Sequence, residues 1–370
     1  MPPAFPKRIA LVLGGGGLKG FAHIGVMRAL EERGIEPAVY AGTSIGALIG
    51  AARAGGMSIE EMAYHALSVR KRDLFRINHM GMLLERMHSP SLYLEEPLRE
   101  LCGRVTPAGT FDELPAPLLV NTVDVERGTR IVWGLPGLRH VPVLDAVYAS
   151  CALPGFFPPG YVDGRMCIDG GTIDNLPIAI ASLGMEAVIS VDVGSVEVGR
   201  VRDIATQGFA AIFMRAATIM MHSLQQRPLA TWRGVPMLLI RPQVGERHWF
   251  SFTRTDELLE AGYVAAGTVL DQAIAGLSAE GGVFPRQEVS LTVDREKCIG
   301  CGICVALAPQ IMALDTTGKA YSMVSPLEWS PADGEFVQHC PTEAITVVSR
   351  EGHRRTKRPS SEPTVGVVSN

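Results

Sequence analysis

The stretch IALVLGGGGLKG, Ile9 to Gly20, decides the architecture. Its first part, IALVLG, is apolar at every position up to the glycine and does not alternate. That pattern fits a strand buried on both faces of a parallel sheet. GGGGLKG follows, and then FAHIGVMRALEERG, a helical pattern with Gly34 as its C-cap. AVYA, residues 38–41, makes a second short strand. SIGALIGAARAGG makes a second helix, small on most faces and stopped by Gly55-Gly56. The order strand, loop, helix, strand, turn, helix opens an α/β domain.

Further strands are expected at LLVNTVDV, TRIVWG, AVISVDVG and PMLLIRP, with helices between them. Val69 to Leu101 is irregular and rich in Met and Leu (Met80, Met82, Leu83, Leu84, Met87). It reads equally as a cap over a pocket and as a pair of core helices. GFAAIFMRAATIMMHSL, from Gly208, is the most apolar long stretch, but Arg215 and His222 interrupt it. It falls short of the ~20 residues that a membrane span needs, so a buried or interfacial helix is expected.

Composition bounds the function. The chain has 370 residues, 47% of them hydrophobic and only 19% charged, which fits a folded, core-rich protein of two or three domains. A net charge of −4 supplies no global field for nucleic acid, so no nucleic-acid partner is expected. The N-terminus runs straight into a strand with no signal-peptide pattern. Of seven cysteines, four lie in the last quarter, and Cys102, Cys151 and Cys167 are scattered. Clustered thiols without a leader point to a reducing, cytoplasmic setting and to metal ligation.

Gly15-Gly16-Gly17-Leu18-Lys19-Gly20 fits a dinucleotide fingerprint placed after a strand and before a helix. That fingerprint also wants an acidic residue at the end of the second strand. Here the strand ends in Ala41-Gly42-Thr43-Ser44 instead. Gly42-x-Ser44-x-Gly46 is a nucleophile elbow in its proper strand–turn–helix context. A tight turn there exposes the Ser44 hydroxyl at a helix N-terminus, and the flanking glycines let strand and helix approach. Alone, G-x-S-x-G is as often a plain small-residue turn. The glycine loop one βα unit earlier tips the balance, because its N–H groups could form an oxyanion hole beside Ser44.

No histidine suits the role of base. His222 sits in an apolar run, His248 beside Trp249, and His23 within the first helix. A carboxylate stands out at Asp169-Gly170-Gly171, with Asn175 and Pro177 close behind. An ordinary D-G turn is the alternative there.

Together these residues resemble the patatin-like phospholipase family over roughly residues 7–275. GGGGLKG matches the family's glycine loop, with Lys19 in its basic position. GTSIG matches its elbow, ASCALPGFFPP its Ala/Ser-rich helix end and Pro-rich loop, and DGGTIDNLP its Asp-Gly-Gly block. The resemblance implies a three-layer α/β domain with a mainly parallel sheet. It also implies a Ser44–Asp169 dyad without histidine, with the N–H groups of Gly15, Gly16 and Gly17 holding the oxyanion. Lys19, Gly42, Gly46, Gly170, Gly171 and Asn175 would support the site. The substrate would be a lipid or other acyl ester, met in solution or at a membrane surface, including the inner membrane face. A carboxylate with a reference pKa of ~3.9 is a weak base for an alcohol, so the oxyanion hole would carry much of the catalysis.

Downstream, KCIGCGICVALAP contains Cys298-x2-Cys301-x2-Cys304, with Cys340-Pro341 farther along. Four thiolates suit a [4Fe–4S] cluster, one per iron. Zinc more often takes two separate CxxC pairs. Residues 289–349 resemble a single-cluster bacterial-type ferredoxin, a small α+β domain. Pro and Gly cluster near Gly281–Pro285, which places a domain boundary at about residue 285. The expected domains are an acyl hydrolase over 1–285, a cluster domain over 286–349, and a disordered basic tail over 350–370. The main functional expectation is a serine acyl hydrolase carrying an iron–sulfur domain with a redox, regulatory or partner-docking role. An electron-transfer protein with an inactive hydrolase scaffold remains open, as does a thioesterase or protease using the same dyad.

Overall fold

The computed structural model describes residues 6–77, 91–194, 204–245, 252, 254–273 and 281–349. Met80 to Met87, His248, Trp249 and the basic tail from Arg350 lie outside the described residues. The chain divides into two compact units at Pro285/Arg286.

The first unit is built on a nine-stranded sheet. Six strands run parallel: β1 (Ile9–Leu13), β2 (Val39–Thr43), β3 (Leu118–Asp124), β7 (Ala187–Val191), β8 (Met237–Ile240) and β9 (Val283–Phe284), in the order β3-β2-β1-β7-β8-β9. Beyond β3 the pairing turns antiparallel, with β4 (Thr129–Trp133), β6 (Arg165–Asp169) and β5 (Gly160–Val162). All five residues of β1 are buried, as a continuous apolar run at the sheet centre requires. The chain leaves β1 toward β2 on one side and returns to pair β7 on the other. β1 is therefore a switch point of the sheet, where crevices open beyond the strand ends.

Helices α1 (Ala22–Glu31), α2 (Ile45–Ala54), α3 (Ile59–Ser68), α4 (Glu95–Val105), α5 (Val143–Cys151), α6 (Phe209–Ala230) and α7 (Thr255–Ala273) accompany this sheet. Ser58 caps α3 with a capping box, its side chain and that of Glu61 each accepting the other's backbone N–H. The core runs through Leu11, Leu13, Ile24, Leu48, Trp133 and Ile189. All four strand expectations from the apolar runs are present as β3, β4, β7 and β8. The stretch from Gly208 forms α6, which carries several exposed apolar side chains.

The second unit is small and antiparallel. β10 (Gln287–Val293) pairs with β13 (Leu327–Trp329) and β14 (Ile345–Ser349), and β11 (Met312–Leu314) pairs with β12 (Ala320–Ser322). Two short helices, Ile303–Leu307 and Glu335–Gln338, complete it. Leu291, Met312, Phe336 and Ile345 form its core.

Candidate active site

Sheet register brings the serine and the aspartate together. β2 pairs with β3 so that Thr43 lies opposite Asn121, and β3 pairs with β6 so that Thr122 lies opposite Asp169. Ser44, one residue past Thr43, therefore comes level with Asp169 across one intervening strand. Ser44 and Asp169 line the same cleft, and the Ser44 hydroxyl favours the ionised form of the Asp169 carboxyl.

Ser44 occupies the turn between β2 and α2 with φ 56 and ψ −129. This is a strained conformation for a residue with a Cβ, and such outliers cluster at functional sites. The flanking glycines explain how the turn closes. A Cβ on Gly42 would lie 2.4 Å from the backbone of Gly46, and one on Gly46 would lie 2.1 Å from the carbonyl oxygen of Leu13. Any larger residue would push the helix off the strand.

Asp169 is fully buried. Its Oδ1 accepts the N–H of Gly171 at 2.8 Å. Burial pushes its carboxyl up to about 6, against the pull of the Ser44 hydroxyl and the Gly171 N–H. Gly170 is packed against Asn121, where a Cβ would lie 2.4 Å from the carbonyl oxygen. Asn121 Nδ2 donates to Thr43 Oγ1 at 3.2 Å and to the Asp174 carbonyl at 2.6 Å, tying the Asp-Gly-Gly block to the end of β2.

The glycine loop sits against the serine. A Cβ on Gly15 would lie 3.1 Å from Ser44 Cβ and 2.6 Å from Asn175 Oδ1. Asn175 clamps this residue from both sides, accepting the Gly15 N–H at 3.0 Å and donating to its carbonyl at 3.2 Å. The Gly15 N–H is thus already engaged. Among the described residues, the N–H groups of Gly16 and Gly17 have no hydrogen-bond acceptor in the protein.

Behind the loop, His23 Nε2 bonds the Gly14 carbonyl at 2.8 Å. Burial lowers this imidazole to about 4, so it is neutral near pH 7, and Nε2 must carry the proton that it donates. Lys19 is buried; desolvation lowers its pKa while the charge of Asp192 opposes the drop. Asp192 also pairs with Arg241 at 3.1 Å.

In the second unit, Cys298, Cys301, Cys304 and Cys340 line one cavity together with Gly300, Gly302 and the start of a short helix. The Ala320 N–H points at Cys298 Sγ (3.4 Å) and the Ala344 N–H at Cys340 Sγ (3.3 Å). Gly300 and Gly302 have φ of 71° and 76°, conformations that suit glycine. A Cβ on Gly300 would meet the Gly318 carbonyl at 2.4 Å. Among the described residues, no three His, Cys, Asp or Glu side chains converge to hold one metal ion. The cavity instead offers four thiols around a shared space, a donor set that fits a multi-iron cluster.

Family comparison matches residues 11–182 to the patatin-like phospholipase model and residues 291–347 to the 4Fe-4S single cluster domain model. The chain thus carries a region similar to patatin-like phospholipases, followed by one similar to 4Fe-4S single cluster domains.

Among curated proteins, an uncharacterized NTE family protein of Mycobacterium tuberculosis is 36% identical over 197 residues, 53% of this chain and 52% of that one. Lysophospholipase NTE1 of Mycosarcoma maydis is 33% identical over 198 residues, 51% of this chain and 10% of that one. The chain thus spans about half the length of the mycobacterial relative. Of solved structures, VipD from Legionella pneumophila aligns at 17% identity with a TM-score of 0.41, covering 76% of this chain and 72% of that one.

Several residues of the patatin-like site escape sequence reading. Ser150 Oγ accepts the Ser44 N–H at 2.8 Å and donates to the Asn121 carbonyl at 2.7 Å, linking α5 to the elbow. Gln225 of α6 accepts from Asn175 at 3.2 Å. A polar Asn inside the run LLVNTVDV was the available signal for Asn121; nothing local marks Gln225.

Ser44 and Asp169 lie in the wall of a cleft of about 990 Å3, part of it open to solvent. Leu18, Leu48, Met62, Leu98 and Phe157 contribute apolar side chains to it. The lining is mainly apolar, with Ser44, His65, Ser68, Arg104 and Asp169 as its polar members.

Proposed function

We propose that the patatin-like domain is a serine acyl hydrolase for lipid esters, phospholipid or lysophospholipid, working through Ser44 and Asp169. The observation that carries this reading is that Ser44, held at a strained elbow, and the buried Asp169 are brought level by the sheet register in the wall of one large, mainly apolar cleft. In this reading Ser44 Oγ attacks the ester carbonyl and its proton passes to Asp169. The oxyanion forms against the N–H groups of Gly16 and Gly17, with Gly15 held aside by Asn175. Asp169 returns the proton to the departing alkoxide. It then takes a proton from the water that attacks the acyl-enzyme, and gives that proton to Ser44 Oγ as the Oγ–acyl bond breaks and the acid is freed. A carboxyl raised to about 6 is a better base than an ordinary aspartate and is still mostly ionised at neutral pH. His23 positions the glycine loop through the Gly14 carbonyl, and Ser150 and Asn121 fix the elbow. Hydrolysis of a fluorogenic phospholipid and of a short acyl ester by anaerobically purified protein tests the reading; no turnover of either overturns it.

We assign the hydrolase domain to residues 1–285, within a reducing cytoplasmic setting. A lipid surface as the place of reaction is supported by α6. Its inner side holds Met221 near Gly171, Gln225 on Asn175 and the buried Leu229. Its outer side exposes Ile212, Ile219, Met220 and Leu224, Met220 by 58% and Leu224 by 52%. An outward apolar stripe on a helix that holds the site suits an apolar medium. Met220→Glu with Leu224→Glu is expected to slow vesicle hydrolysis at least about 10-fold, from ~1 kcal/mol lost per side chain, and to leave a soluble ester unaffected. Equal effects on both substrates would remove the lipid-surface assignment. Among the described residues, no helix is long and apolar enough to cross a membrane.

For residues 286–349 we propose a single [4Fe–4S] cluster on Cys298, Cys301, Cys304 and Cys340. Such a cluster, when bound, supplies one-electron redox chemistry. The chain's own part is to present the four thiols and to aim the Ala320 and Ala344 N–H groups at two of them. Burial raises the Cys340 thiol, but the Ala344 N–H and the Thr342 hydroxyl outweigh it and hold that thiol below its ordinary value. Anaerobic protein should be brown, with about four iron and four sulfide per chain. Cys340→Ser should lose most of the iron and loosen the second unit. Stoichiometric zinc without iron would sink the assignment.

A further inference from the structure

We propose that Cys102 and Cys151 form a redox-modification site in the wall of the acyl cleft, a thiol pair that a peroxide closes to a disulfide, slowing acyl transfer. Four of the seven cysteines line the cavity of the second unit, and Cys167 lies buried in β6. The remaining two are 49 positions apart in sequence and lie on two helices that pack against each other. Cys102 on α4 and Cys151 at the end of α5 each lie one turn beyond Arg99 and Tyr148, the two residues whose side chains meet between these helices, and the Cys102 thiol acts directly on that of Cys151. The two helices are pinned there by the Arg99–Asp145 ion pair and by Arg99 lying 5.6 Å over the Tyr148 ring. Cys102 is wholly buried. Cys151 lines the cleft alongside Ser44 and Asp169, so a small oxidant entering the cleft meets it first.

The chemistry balances in two steps. The Cys151 thiol reduces one peroxide, becoming a sulfenic acid and releasing water. The Cys102 thiol then attacks that sulfur, the S–O bond breaks, and a second water leaves with the disulfide in place. A dithiol reverses the closure by exchange. Burial and its partner raise the Cys151 thiol, so the first step is slow and the pair stays reduced without a sustained oxidant.

The position of Cys151 gives the closure its effect. Ser150, just before it, holds the Ser44 N–H at 2.8 Å. Ala152, just after it, accepts the Asp169 N–H at 3.1 Å. Drawing Cys151 Sγ to a bonding distance of about 2.05 Å from its partner pulls the one short segment on which both members of the dyad hang.

The test uses the full chain exposed to excess hydrogen peroxide, then alkylated and mapped by mass spectrometry without reduction. A Cys102–Cys151 linked peptide is expected in the wild type, absent after dithiothreitol and absent in Cys102→Ala and Cys102→Ser. Short-ester hydrolysis should fall at least 5-fold on oxidation and return with dithiothreitol. The two variants should hold their rate under the same peroxide. Free, alkylated thiols at both positions after prolonged exposure would overturn the site, as would Cys151 linked elsewhere. A linked peptide with an unchanged rate would overturn its role as a switch. Only the rate measurement rests on the hydrolase reading. The linked peptide is read by mass, so failure of the site and failure of the hydrolase are told apart.

Discussion

Ser44→Ala should reduce hydrolysis of phospholipid and short ester by about 10^4-fold or more, with the fold unchanged. The size follows from covalent catalysis. Without an alcohol at the elbow there is no acyl-enzyme, and the oxyanion hole and the cleft retain only their own modest share of rate. Loss of the Ser44 hydroxyl removes a partner of Asp169 but leaves the Gly171 N–H in place. The backbone bond from Ser44 to Ser150 is untouched. Melting temperature and circular dichroism should therefore match the wild type. Residual activity above a few per cent would move the nucleophile elsewhere.

The backbone at Ser44 gives a second readout from the same position. Its φ of 56° and ψ of −129° cost of order 1–3 kcal/mol for a residue with a Cβ. Alanine keeps that strain and glycine does not. Ser44→Gly should be equally inactive yet no less stable than Ser44→Ala, even after glycine's extra chain entropy of about 1 kcal/mol. A glycine variant clearly less stable than the alanine one would mean the elbow is not strained.

Much of this site was legible because its signals are local. The apolar run into glycines at Ile9–Gly20 and the G-x-S-x-G turn each state their conformation within a few residues. The Cys298–Cys304 spacing is equally self-contained. What the sequence left open depends on register. That Ser44 stands level with Asp169 follows from Thr43 opposite Asn121 and Thr122 opposite Asp169, and neither pairing is written in any single segment. The supporting polar residues were harder still. Asn121, Ser150 and His23 sit within apolar stretches that read as core, and their function lies in partners up to 106 positions away. The expectation for Gly15 shows the same limit. Its place in the loop is readable, but the engagement of its N–H by Asn175, 160 positions on, is not. Cys102 and Cys151 look scattered along the chain for the same reason.

Asp169→Asn should separate activity from stability. Its carboxyl is raised from 3.8 to about 6 in the folded protein by burial. The folded state therefore binds that proton more tightly than the unfolded state does. The charged form costs stability; that cost is absent below about pH 4, grows between about 4 and 6, and is complete above 6. Two units amount to about 3 kcal/mol. Asparagine stays neutral and can still accept the Gly171 N–H. Asp169→Asn should thus be more stable than the wild type at pH 8 by up to about 3 kcal/mol, and the gain should vanish near pH 4. It should also lose at least about 10^3-fold in kcat, because the proton of Ser44 then has no acceptor. Wild-type kcat/KM should rise as one proton is lost near pH 6 and then level off. A flat profile from pH 5 to 8 would remove Asp169 as the base. An asparagine variant less stable than the wild type at pH 8 would show instead that the ionised carboxylate holds the loop together.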